Sequence, residues 1–162
     1  MVGIVQQICS IPTPDDGVVF DPKSVSGTQI MEGNEVDGVR IECEGRLGTT
    51  HLFIYLDIGF DDSVHPEPVV IQLASDLGLP AAQLLGYTKE SIVAEKLEAI
   101  VRHGELNTRL KDFFDIWMLS RNYDFEGSVL AKAVENVFKS RNRLLSEHLV
   151  AFTSAFAQDK DR

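Results

Sequence analysis

Basic side chains are scarce in the first half of this sequence. Residues 1–80 hold 13 Asp and Glu against 3 Lys and Arg, whereas residues 81–162 hold 12 of each, so the formal net charge of −10 falls on the N-terminal half. A surface of that sign repels phosphate backbones, which argues against non-specific nucleic-acid binding by this half. Cysteine is nearly absent. Cys9 and Cys43 stand far apart with no Cys or His at metal-ligand spacing, so the pattern indicates neither a zinc site nor a disulfide framework, and both read as plain buried residues. The histidines, His51, His65, His103 and His148, are scattered and form no His-x-x-x-His pair. No apolar run approaches the roughly 20 residues that a spanning helix requires. The opening segment lacks a basic n-region, and Gln6 and Gln7 interrupt its apolar stretch, so it does not read as a signal peptide and the cytoplasm is the expected location. Internal repeats and low-complexity tracts are missing as well.

What is present fits an α+β globular fold. Hydrophobic residues make up 44% and charged residues 25% of 162, ordinary for a chain that buries a core and unlike a disordered one. Residues 2–10 fit a short helix that ends before Pro12 and Pro14, and Asp15-Asp16-Gly17 supplies turn chemistry. Extended segments are expected at 18–20, 25–30 and 36–44, the last alternating Val39, Ile41 and Cys43 with Arg40, Glu42 and Glu44. A turn across 45–49 leads to 51–58, apolar on both faces and therefore read as a central strand. A linker with Pro66, Pro68 and Pro80 follows, and the remainder reads as helices near 89–102, 108–121, 125–139 and 147–157. The division expected is a β-rich part, 1–78, and a helical part, 79–162. Lys139, Arg141 and Arg143 form a local basic cluster, read as a solvated helix end.

Three positions break the pattern of their elements. Asp57 sits at the exit of the 51–58 strand, on its aromatic face, followed by Gly59. Lys96 falls inside an apolar helical stripe between Ile92 and Ile100, where a lysine must reach water or an anion. Asp112 and Asp115 lie one turn apart on a helix whose Leu110, Phe113, Phe114, Ile116, Trp117 and Leu119 surround nearly its whole circumference, the pattern of a buried helix. Carboxylates there need cations, metal or hydrogen bonds, and Lys96, Arg109 and Lys111 are the candidate cations. Asp112 or Asp115 is the candidate structural partner of Lys96.

The segments Ala94-Glu95-Lys96-Leu97-Glu98-Ala99 and Asn107-Thr108-Arg109-Leu110-Lys111-Asp112-Phe113-Phe114-Asp115-Ile116 resemble a motif pair of the AbiEii/AbiGii-type nucleotidyltransferase toxin family. The segments at 15–21, 56–60 and 86–91 resemble that family too, so the likeness runs across most of the chain. It implies a mixed or antiparallel nucleotidyltransferase-like sheet with a C-terminal helical region, a toxin–antitoxin or phage-abortive role in bacteria, and nucleotide transfer from an NTP to an RNA or protein acceptor. By the same resemblance, Asp57 takes the place of a strand carboxylate that binds metal, Lys96 that of the motif lysine, and Asp112 with Asp115 that of the Lys-Asp-x-x-Asp motif. Lys96, Arg109 and Lys111 would meet the nucleotide, and Mg²⁺ and NTP are the implied cofactors. The sequence departs from the family in lacking a Gly-Gly or Gly-Ser turn followed by Asp-x-Asp, the segment that holds Mg²⁺; Asp61-Asp62 adds only a loop pair. The expectation is a truncated, toxin-related protein that is inactive alone, with a non-catalytic nucleotide- or protein-binding module as the rival. Possible partners are an antitoxin or a second copy of the chain.

Overall fold

The computed structural model describes residues 1–158 except 14, 33–34, 61–63, 75–77, 79, 105–109 and 147–148; for 32, 35–37 and 157 it describes the backbone alone. The chain divides into two compact units, Met1–Asp62 and Ser63–Arg162. It is an α+β protein with two antiparallel sheets and a C-terminal helical region.

The first unit begins with helix α1 (Val2–Cys9), followed by strands β1 (Val18–Glu32), β2 (Glu35–Leu47) and β3 (Thr50–Gly59) in the order β1-β2-β3. The two extended segments expected at 18–20 and 25–30 are one strand with an irregularity where Pro22 cannot donate to a ladder. Pairing shifts there between Asp21 and Ser26, and Ser24 fills the gap: its hydroxyl donates to the Asp21 carbonyl and accepts from the Glu44 N–H at 2.8 Å. Strand β2 alternates as the sequence predicts, with Ile41 and Cys43 buried and Arg40, Glu42 and Glu44 exposed. Strand β3, by contrast, is an edge strand among the described residues, and Phe53 and Tyr55 on its aromatic face are 63% and 60% exposed. Apolar residues on both faces mimic a central strand, but they do not by themselves supply a neighbour for the second edge.

Helix α1 covers the other face of this sheet. Val5 joins Val25, Ile41 and Cys43 in the core, with Val2, Cys9, Ile54 and Ile58 packed against them. The helix comes this close because β1 carries Gly27 beneath it. A Cβ at Gly27 would lie 2.8 Å from Val2 Cγ2 and 3.2 Å from Ile41 Cδ1.

The second unit opens with an antiparallel pair, β4 (Val69–Leu73) and β5 (Ala82–Gly86), where the sequence suggests only a proline-containing linker. Then come α2 (Lys89–His103), α3 (Leu110–Asn122), α4 (Gly127–Ser140), a 3-10 turn at Val150–Phe152 and α5 (Ser154–Gln158). Helix α2 starts where the Thr88 hydroxyl accepts the Ser91 N–H at 3.2 Å, and it stops at Gly104, whose φ of 50° suits glycine. Its Ala94 packs against Ala133 and Val137 of α4, with Val134 alongside. Small side chains at that crossing let the two helices approach closely. Helix α3 corrects its sequence reading: none of its described residues is buried, and Phe114 and Trp117 are more than half exposed. An apolar circumference shows that a helix gains from cover, not that the same chain provides it on every side.

The Gly27 contact generates a test. Gly27→Val should cost about 1–3 kcal/mol through overpacking and should raise amide exchange selectively across residues 2–9. Unchanged exchange in α1 with an unchanged melting temperature would show that the helix does not depend on this approach.

Candidate functional site

Asp57 is positioned by the β2–β3 hairpin. The turn contains only Gly48 and Thr49, with Gly48 at a φ of 59°, and counting outward from Leu47 opposite Thr50 brings Arg40 opposite Asp57. Their side chains meet as a two-pronged pair, Arg40 Nε to Oδ1 and Nη2 to Oδ2, each at 2.7 Å. Hydrogen bonding from Arg40 and the charge of its guanidinium hold the Asp57 carboxyl below the ordinary aspartate range, and Asp57 in turn raises Arg40. Both side chains are about half exposed, so the pair fixes orientation more than it stabilises the fold. Arg40 is a partner that the alternation pattern alone does not reveal. The two-residue turn is the signal that would have found it.

Lys96, Asp112 and Asp115 lie in the second unit and converge. The Lys96 ammonium is 3.0 Å from Asp112 Oδ1 and 2.7 Å from Asp115 Oδ2, so the apolar-stripe lysine reaches both carboxylates of the facing helix. All three side chains are between 15% and 22% exposed. Burial pulls the Lys96 pKa down, but contacts with Asp115 and Asp112 outweigh it and leave the ammonium above its ordinary range. The cluster carries one positive and two negative charges. Lys111 is exposed on α3, while Arg109 and the Asp61-Asp62 pair lie outside the described residues.

A second charged cluster escapes the sequence reading. Helical periodicity puts Glu98 on the wet face of α2, yet it has no solvent exposure. Arg141 Nη1 reaches Glu98 Oε2 at 2.8 Å, Arg143 Nε reaches Oε1 at 2.6 Å, and Arg141 Nη2 reaches Glu95 at 2.8 Å. Asn142, between the two arginines, has a φ of 51°, a left-handed geometry that asparagine tolerates better than most residues. Arg141 and Arg143 therefore belong to an ion cluster around Glu98 and Glu95 instead of a solvated helix end, and of the cations within four residues of Glu98, Lys96 and Arg102, only Arg102 approaches it.

Two substitutions separate these clusters. Lys96→Met leaves two partly buried carboxylates facing each other and should cost about 2 kcal/mol, less than a fully buried pair because water reaches all three groups. Because the folded-state pKa of Lys96 is raised, its stabilisation is complete below the unfolded lysine value of about 10.4 and is lost as pH rises through the folded value. The difference in melting temperature between wild type and Lys96→Met should therefore persist to about pH 10 and shrink above it; a constant difference would assign the loss to packing. Arg141→Ala removes the close partner of Glu98 Oε2 while Arg143 stays at Oε1, and should cost about 2 kcal/mol; Glu98→Met in that background should recover stability. No recovery would mean that Arg141 acts through something other than its charge.

A family model described as the nucleotidyl transferase AbiEii toxin of a type IV toxin–antitoxin system matches residues 2–162, essentially the whole chain. No curated protein and no solved structure matches.

Proposed function

This chain belongs to the AbiEii nucleotidyl transferase toxin family, and from that membership we propose a toxin-related, nucleotidyltransferase-like protein that does not by itself complete nucleotide transfer. The observation that carries this reading is the double engagement of Lys96 by Asp112 and Asp115. An ammonium in that position is preorganised to meet a phosphate oxygen, but it sits in a cluster of net negative charge. Like charges about 5 Å apart repel by roughly 3 kcal/mol at an effective dielectric of about 20, so a triphosphate gains little there unless additional cations accompany it.

The family uses NTP and Mg²⁺ in general, and the metal fits Asp57 poorly as this chain holds it. Both carboxylate oxygens are engaged by Arg40, and a metal would have to share them with a guanidinium or displace it. Asp57 is therefore assigned to orientation of the Arg40 pair, and Lys96, with Lys111 and Arg109, to contact with the nucleotide. The proposal includes a cytoplasmic location and an antitoxin partner, for which membership of a toxin–antitoxin family is the support; among the described residues, no helix is long and apolar enough to cross a membrane. The second reading, a protein-binding module, is favoured by the exposed Phe114, Trp117 and Met118 of α3, which suit contact with an antitoxin or another subunit.

The test is incubation of the purified chain with each labelled NTP, Mg²⁺ or Mn²⁺ and a transfer-RNA pool. No label transfer is expected, while NTP with Mg²⁺ should raise the melting temperature of wild type and not of Lys96→Ala. Transfer that disappears in Asp57→Asn would overturn the proposal of inactivity. No thermal response to any NTP would favour the protein-binding module.

A further inference from the structure

The chain has two cysteines, separated by 33 residues, and the fold of the first unit brings them together. Cys43 is 5% exposed on the inward face of β2, in the core with Val5, Val25 and Ile41. Cys9 is the last residue of α1, half-buried, and packs against that same core. Both thiols are free. Both also line a cleft of about 430 Å³ bounded by Ile8, Phe20, Ile54 and Leu56. Two thiols on one core beside an open cleft differ chemically from two inert core cysteines: the less buried member meets solutes, and the buried member lies near enough to attack it.

We propose that Cys9 and Cys43 form an oxidant-sensitive dithiol site that takes a peroxide as its substrate and closes to a reversible disulfide joining α1 to β2. Cys9, as a thiolate, attacks one peroxide oxygen. The O–O bond breaks, the departing oxygen leaves as water after protonation, and Cys9 becomes a sulfenic acid. The Cys43 sulfur then attacks Cys9 Sγ; the S–S bond forms as the S–O bond breaks, and the hydroxide released takes the Cys43 proton as a second water. Two thiols lose two electrons in total, and the peroxide is reduced to two waters. Burial, followed by the proximity of Cys9, pushes the Cys43 thiol up, which suits a resolving residue that stays protonated until its neighbour is oxidised.

Geometry favours closure within the chain. Cys9 is followed by Ser10 at the end of the helix, and the described residues from there to Gly17 are non-helical, so the end of α1 can adjust without moving Val5 out of the core. A disulfide demands Cβ atoms about 3.5–4.5 Å apart, and two cysteines that share one core and line one cleft can reach that separation through a small movement at the end of α1. The product ties a helix to a strand that it otherwise contacts through apolar packing, so the oxidised form should melt at a higher temperature than the reduced form.

The experiment treats the reduced full chain with hydrogen peroxide and measures intact mass, peptide cross-links and melting temperature. The expected result is a mass loss of two hydrogens, a Cys9–Cys43 cross-linked peptide, an upward shift in melting temperature, and reversal of all three by dithiothreitol. Cys9→Ser, which alters the half-buried member and should fold even if a Cys43 variant does not, should leave Cys43 as an unmodified thiol under the same treatment. Two unmodified thiols in oxidant-treated wild type, addition of oxygen at Cys9 without the cross-link, or disulfide-linked dimers in its place would each overturn the proposal.

Discussion

A carboxylate with no solvent exposure needs cations or hydrogen-bond donors around it, and Glu98 imposes that requirement on the helical unit. The need is met from the far end of α4, where Arg141 and Arg143 flank the left-handed Asn142 and close on α2. The Ala94–Ala133 crossing is close enough for those side chains to reach because both residues are small. On α2, two residues before Glu98, Lys96 does the reverse: a lysine in an apolar stripe draws the Asp112 and Asp115 carboxylates of α3 onto it. The helix is thus the axis of the unit, holding α3 by one charge and the end of α4 by the opposite one. Apolar burial places the helices, and the charges specify which neighbour goes where.

The sheet unit rests on different constraints. Its acidic excess leaves few cations to distribute, and Arg40 is held by Asp57 through the short Gly48-Thr49 turn. On the opposite face, the absence of a side chain at Gly27 lets α1 settle against β1 with Val5 in the core. One face is therefore covered by a helix while the other presents Phe53, Tyr55 and the Arg40–Asp57 pair to the surroundings. Aromatic side chains beside an exposed ion pair are costly to keep for packing alone, which suits a face that meets something else.

Much of this was legible in the sequence where the governing interaction is local. Thr88 and Gly104 mark the ends of α2, the alternation of Ile41 and Cys43 with charged residues marks β2, and Lys96 is conspicuous because helical periodicity places it among apolar residues. Two of the failures share one cause: each depends on a partner distant in the chain. Glu98 looks solvated until Arg141 and Arg143, more than forty residues later, are known to cover it. Cys9 and Cys43 look unrelated for the same reason. The β4–β5 pair leaves little signature because Val69–Leu73 and Ala82–Gly86 are short and flanked by prolines, and α3 reads as an interior helix because apolar periodicity cannot state how much cover a chain provides.

The same long-range pairing bears on function. In the proposed reading, the site lysine is not lost but occupied, since Asp112 and Asp115 already satisfy its charge and hold its pKa up. A phosphate oxygen would have to compete with two carboxylates that are anchored to a helix and cost little further entropy to keep in place. Such a competitor succeeds only if it arrives with charge compensation, because exchanging one carboxylate contact for one phosphate contact leaves the local excess of negative charge larger than before. Asp57 and Arg40 follow the converse logic: while they remain paired, neither offers its full charge to an incoming group. A nucleotide-handling role for this chain thus depends less on acquiring new side chains than on a positive charge that can enter the Lys96 cluster and release the lysine from its two carboxylates.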